Sequence, residues 1–78
     1  MIKLCILTPE SGREVEVEAV FLPGSMGEFE VLPGHAPIIS TLTKGTVRWR
    51  SAGAEESLKV SGGAVRVKDD VIQLCIEP

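Results

Sequence analysis

EVEVEAVF, residues 14–21, alternates apolar and acidic side chains along its length: Val15, Val17, Ala19 and Phe21 fall on one side of an extended chain, and Glu14, Glu16 and Glu18 on the other. Successive side chains of a strand point to opposite faces, so the stretch predicts a half-buried strand with an acidic outer face. The same period of two appears on both sides of it. IKLCIL (residues 2–7) opens the chain, and TVRWR (46–50) sets Val47 and Trp49 against Arg48 and Arg50. SLKVS (57–61), AVRVK (64–68) and VIQLCI (71–76) follow in the same style. Turn-forming residues separate these runs at 9–12, 23–27, 33–37, 44–45, 52–56, 62–63 and 69–70. Nowhere do apolar residues repeat at helical spacing for three turns. The fold class this predicts is all-β: an antiparallel β-sandwich, or flattened barrel, of about eight to ten short strands.

Residues 1–78 read as one domain, without linker, low-complexity tract or internal repeat. A domain of this length buries only about 60% of the surface its unfolded chain exposes, so its core is thin and a permanent partner would add needed stability. The two cysteines, Cys5 and Cys75, sit in apolar runs near the two ends. They read as free, buried thiols, although a disulfide joining the terminal strands is geometrically conceivable. With no leader-like segment and no run of 18 apolar residues, the expectation is a cytosolic chain.

The net charge of -3 argues against wrapping nucleic acid. The charge is nonetheless segregated: residues 10–30 carry six glutamates and one arginine, residues 44–68 six basic residues and two glutamates. Cross-strand ion pairs on solvated faces account for such a pattern, as does a two-signed surface that orients a partner.

His35 is the only histidine. A general base needs a nucleophile and an orienting group, and a zinc site needs three or four ligands; the sequence offers neither beside His35. The histidine is therefore expected to serve structure or an interface. Its setting, PGHAP at residues 33–37, is the more informative feature. Pro33 and Pro37 remove two backbone donors, Gly34 permits a positive φ, and Pro37 holds Ala36 extended, so few conformations remain. A loop ordered in advance loses little entropy on docking, which suits a lasting protein contact; a rigid corner with no partner is the plainer alternative. A second tight loop, residues 24–28, displays Met26 and Glu28 near its tip. Trp49 falls on the apolar face of its run and is expected in the core. Gly62 and Gly63 lack the pattern of a phosphate-binding loop and read as a bend. Lys44 before Gly45 resembles the hairpin-tip lysine of lipoyl or biotinyl carrier domains, but the flanking residues Leu42, Thr43 and Thr46 match neither carrier motif.

Two stretches resemble a known family. GSMGEFEVLPGHAPIISTLTKGTVR (24–48) and VSGGAVRVKDDVIQL (60–74) are similar to the N-terminal β-sandwich domain of the epsilon subunit of bacterial and chloroplast F-type ATP synthases. The glycine loop, PGHAP, the Leu42 to Gly45 spacing and Ser61-Gly62-Gly63 carry the likeness together. It implies a non-catalytic rotor subunit without cofactor, peripheral at the cytoplasmic face of the bacterial plasma membrane within its complex. The resemblance places His35, Ala36, Pro37, Ile38, Thr41 and Leu42 towards the gamma subunit, and Met26, Gly27 and Glu28 towards the polar loops of the c-ring. The family's C-terminal helical hairpin has no counterpart in these residues, so neither nucleotide binding nor hairpin-type inhibition is expected of this chain.

Overall fold

The computed structural model describes residues 1–77 and contains nine strands. They are β1 (Ile2–Leu7), β2 (Gly12–Val17), β3 (Ala19–Gly24), β4 (Gly27–Val31), β5 (Ile38–Leu42), β6 (Gly45–Ser51), β7 (Ala54–Val60), β8 (Gly62–Lys68) and β9 (Val71–Glu77). All belong to one sheet in the order β2-β1-β9-β8-β5-β3-β6-β7, with β4 on the free edge of β3. The junction between β5 and β3 is a single register pair, Gly24 opposite Leu42. There the sheet folds over, so that β2-β1-β9-β8-β5 faces β4-β3-β6-β7. This is the all-β sandwich that the alternation predicts. Every pairing is antiparallel except β1 with β9, which run parallel because the chain's first and last strands lie side by side.

One far edge, β2, also approaches the opposite layer. Glu18 N–H donates to the Arg50 carbonyl at 2.8 Å, and Ser51 Oγ donates to the Glu16 carbonyl at 2.8 Å. Arg13 of β2 reaches Glu56 of β7 at 3.3 Å. The result is a curled, nearly closed half-barrel filled by Ile2, Leu4 and Ile6, Val65 and Val67, Ile72, Leu74 and Ile76 from one layer, and Val20, Leu22, Val47 and Trp49 from the other. Trp49 is 1% exposed, and its indole N–H escapes burial by donating to Glu56 Oε2 at 3.2 Å.

The expectation for residues 14–21 as one continuous strand is corrected here. The chain bends at Glu18: β2 pairs with β1, whereas β3 pairs with β4 and β6. Ala19 and Val20 are both buried, which resets the alternation by one residue. Phe21 therefore leaves the apolar face on which its spacing puts it. It lies half-buried on the outer side, where the Arg48 guanidinium covers its ring at 4.7 Å.

The thiols are corrected as well. Both are free, but Cys5 is half-buried and Cys75 exposed. Each alternates with core residues, Cys5 between Leu4 and Ile6 and Cys75 between Leu74 and Ile76, and so both point outward. Cys5 stands opposite Gln73 and Cys75 opposite Leu7, two residues out of step on adjacent strands. Lys44 is exposed, but β5 and β6 on either side of it are separated by β3. It does not crown a hairpin, which removes the geometry a swinging-arm carrier uses.

Gly63 is opposite Ile76 with φ +153°, and a Cβ there would run into the Cys75 carbonyl oxygen. Gly63→Ala is expected to cost about 2–4 kcal/mol in urea unfolding, from backbone strain and overpacking together. Gly53→Ala, at φ +78° with open space around it, should lose only about 1–2 kcal/mol. Equal losses at the two positions would contradict the clash.

Burial, then the neighbouring Glu14 charge, pushes the Cys5 thiol above its usual pKa. Fewer Cys5 thiolates exist at mildly alkaline pH, so a disulfide reagent should modify Cys75 roughly tenfold faster than Cys5. Single-cysteine variants read this directly, and a faster Cys5 would overturn the assignment.

Candidate functional site

Leu32, Pro33, Gly34 and His35 form a β-turn closed by His35 N–H donating to the Leu32 carbonyl at 3.1 Å. Pro33 presets the second position, and Gly34, at φ +82°, supplies the positive angle of a type II turn at the third. The Gly34 N–H donates to Asp70 Oδ1 at 2.7 Å, in the turn joining β8 to β9. His35 Nδ1 lies 2.7 Å from the Ala36 carbonyl oxygen. A carbonyl only accepts, so Nδ1 carries the proton. The ring is thus tethered to its own loop.

From this corner β5 runs beside β8, Ile38 opposite Val67 through Leu42 opposite Gly63. Its alternation turns Ile38, Ser40 and Leu42 inward and Ile39 and Thr41 outward. Leu42, expected on the gamma side, is 6% exposed and belongs to the core. Its side chain packs with the core cluster. Ile39 is 81% exposed and borders a shallow hollow lined by Pro37, Ile38, Arg66, Val67 and Lys68.

At the far end of β5 stands the glycine loop. Gly24 and Gly27 are paired across the β3–β4 turn, leaving Ser25 and Met26 at its tip. Gly27 has φ +126°, and Met26 is fully exposed. The loop is bonded to β5 and to the turn after it. Ser25 N–H donates to the Thr41 carbonyl at 3.1 Å, the Ser25 and Thr41 hydroxyls lie 2.6 Å apart, and Thr43 N–H donates to the Pro23 carbonyl at 2.9 Å. Glu28 is not a free charge: Arg48 Nη2 lies 3.4 Å from its Oε1, while Arg48 Nη1 lies 3.6 Å from Glu55.

Of the residues singled out for contacts, then, His35, Ala36, Pro37 and Ile38 cluster at one end of β5, and Met26, Gly27 and Glu28 with Thr41 at the other. Asp70 and Arg48 adjoin these two clusters and escaped the sequence reading, which spanned Ile39 without singling it out. Two adjacent isoleucines, 38 and 39, do not say which points out, and a bond between Gly34 and Asp70 has no local signature. Among the described residues no three His, Cys, Asp or Glu side chains converge as metal ligands, and no helix is long and apolar enough to cross a membrane.

Residues 1–77 match the family model for the β-sandwich domain of the ATP synthase delta/epsilon chain. An ATP synthase epsilon chain of Desulfitobacterium hafniense is 39% identical over 72 residues, covering 91% of this chain and 54% of the relative. One from Anoxybacillus flavithermus is 38% identical over 74 residues, covering 94% and 55%. The chain thus spans about half the length of these curated relatives. In solved structures the fold recurs in Euglena gracilis mitochondrial ATP synthase, with a TM-score of 0.93 at 23% identity over 99% of this chain and 51% of that one. It recurs again in the central stalk and c-ring structure of the Tetrahymena thermophila enzyme, with a TM-score of 0.84 at 12% identity over 99% and 63%. The sandwich, its glycine loop and its proline-locked corner, matched from end to end by the family model, make this chain a member of the ATP synthase delta/epsilon-chain family through its β-sandwich domain.

Proposed function

We propose that this chain is a non-catalytic central-stalk subunit that fastens the gamma subunit to the c-ring of an F-type ATP synthase, so that ion-driven rotation of the ring turns the shaft. In this reading His35, Ala36, Pro37, Ile38 and Thr41, with Ile39, meet gamma. Met26, Gly27 and Glu28 meet the polar loops of the ring. The chain reaches the cytoplasmic face of the bacterial plasma membrane through that assembly.

The observation that supports this best is that the histidine corner and the glycine loop stand at the two ends of one strand, with Thr41 of the gamma-facing set at the glycine-loop end. Four residue steps from Ile38 to Leu42 amount to about 13 Å. Over that length β5 is laddered to β8, and its end is bonded to the glycine loop through Ser25, Thr41 and Thr43. A connector that turns under load must not stretch, and hydrogen-bonded strand with proline-locked ends deforms little. A contact of standard size, about 800 Å² per partner, would cover roughly a sixth of the 4645 Å² surface. Two such contacts would take up about a third of that surface and add the apolar burial that a thin core lacks. Exposed Ile39 and Met26 supply apolar anchors for them.

Ile39→Asp is the sharpest test of the gamma surface. The side chain is 81% exposed, so unfolding should shift by no more than about 1 kcal/mol. Retention on immobilised gamma should fall at least about tenfold, as an apolar anchor is lost and a charge is desolvated. Gamma binding that survives this change and alanine replacement at residue 35 and at each of residues 37–41 would remove the interface from β5.

For the ring surface, Glu28→Lys replaces an attraction to Arg48 by a repulsion between exposed side chains, worth less than about 1 kcal/mol to folding. Proton-coupled ATP synthesis in membrane vesicles carrying the variant should drop severalfold while its melting temperature stays within a few degrees. Unchanged coupling would count against Glu28 at the ring.

A further inference from the structure

We infer that Asp70 is a positioning residue for the gamma-facing corner, holding the Pro33–Gly34 peptide in the one orientation that presents His35 and Pro37 for docking. This rests on the functional reading just given. Asp69 and Asp70, at φ +51° and +58°, form a two-residue connection between Lys68 and Val71, which are paired. Two left-handed residues in a two-residue hairpin make a type I′ turn, where glycine or asparagine would fit with less strain than aspartate. The Asp70 side chain has its own use there: Oδ1 accepts the Gly34 N–H at 2.7 Å, a charge-assisted length. The Asp70 carbonyl meanwhile accepts Lys3 N–H at 2.9 Å, which fixes the turn to the start of β1.

The choice of Gly34 as the bonded group matters chemically. Type I and type II turns with the same ends differ chiefly by a flip of the central peptide, here the one linking Pro33 to Gly34. An acceptor fixed on the Gly34 N–H selects the type II form and turns the Pro33 carbonyl to the opposite side. The corner is thus set by a residue 36 positions away. The holding residue sits on the hairpin whose β8 strand also ladders β5.

Two variants separate this role from general stability. Asp70→Gly keeps the left-handed backbone and deletes the acceptor; Asp70→Asn keeps both. In the folded chain, D70G should speed NMR-measured water exchange of the Gly34 amide about tenfold and weaken binding to purified gamma roughly three- to tenfold. D70N should stay within about twofold of the original chain in both measurements. Unchanged Gly34 exchange in D70G would refute the latch, and accelerated exchange with unchanged gamma affinity would refute positioning. If the original chain itself fails to bind gamma, the functional reading falls and the docking role with it, while Gly34 exchange still judges the latch. Should D70G fail to fold, acid titration of the unmodified chain decides: the Gly34 amide proton shift must follow protonation of the Asp70 carboxylate, and a Gly34 shift indifferent to it overturns the inference.

Discussion

A single sheet with no helix to cover it can hide an apolar face only by folding onto itself, and everything else in this molecule follows from that constraint. The chain must pass between layers, and three backbone contacts mark where it does. Glu18 N–H reaches the Arg50 carbonyl at the bend between β2 and β3, Thr43 N–H reaches the Pro23 carbonyl between β5 and β6, and Ser61 N–H reaches the Glu77 carbonyl between β7 and β8. A layer change exposes backbone groups that a continuous ladder would satisfy, and each of these bonds satisfies one. The glycine loop, which joins two strands of one layer, is held instead by the bonds of Ser25 to Thr41 of β5, despite a fully exposed tip.

Charge plays a secondary part. The acidic first half and basic second half do find each other, Glu28 with Arg48 and, in the reverse sense, Arg13 with Glu56. Their side chains remain 38–58% exposed, so solvent screens them and no single pair contributes much to folding. Arg48 does more by packing than by pairing. It lies over Phe21, the one large aromatic that the phase shift at Glu18 leaves outside the core, and shields that ring from water.

Most strands were legible because their alternation is unbroken. In β1, β6, β8 and β9 each inward position is apolar, and those side chains are the ones that pack. The same alternation assigns both cysteines to the outer face; counting sulfur as apolar hid that reading. What lay beyond reach was whatever depends on distant pairing. EVEVEAVF reads as one strand because nothing local announces that Val17 and Val20 belong to different layers. The parallel partnership of β1 and β9 joins the ends of the chain. The corner's residues announced its stiffness through Pro33, Gly34 and Pro37, but not the carboxylate that orients it.

The placement of β8 links these points. One end of it, Gly63, is pressed against the Cys75 backbone and paired with Leu42 beside the glycine loop; the other end leads into the Asp70 turn under the histidine corner. β5 therefore has the same neighbour beneath both its ends. The histidine corner and the glycine loop are thus joined through two hydrogen-bonded strands, β5 and β8. Loops and frayed ends open locally at little cost, whereas strands laddered in the sheet centre open only at a cost near that of global unfolding. β8, laddered to β5 on one side and β9 on the other, is of the second kind, whereas β2, β4 and β7 lie at edges and carry charge.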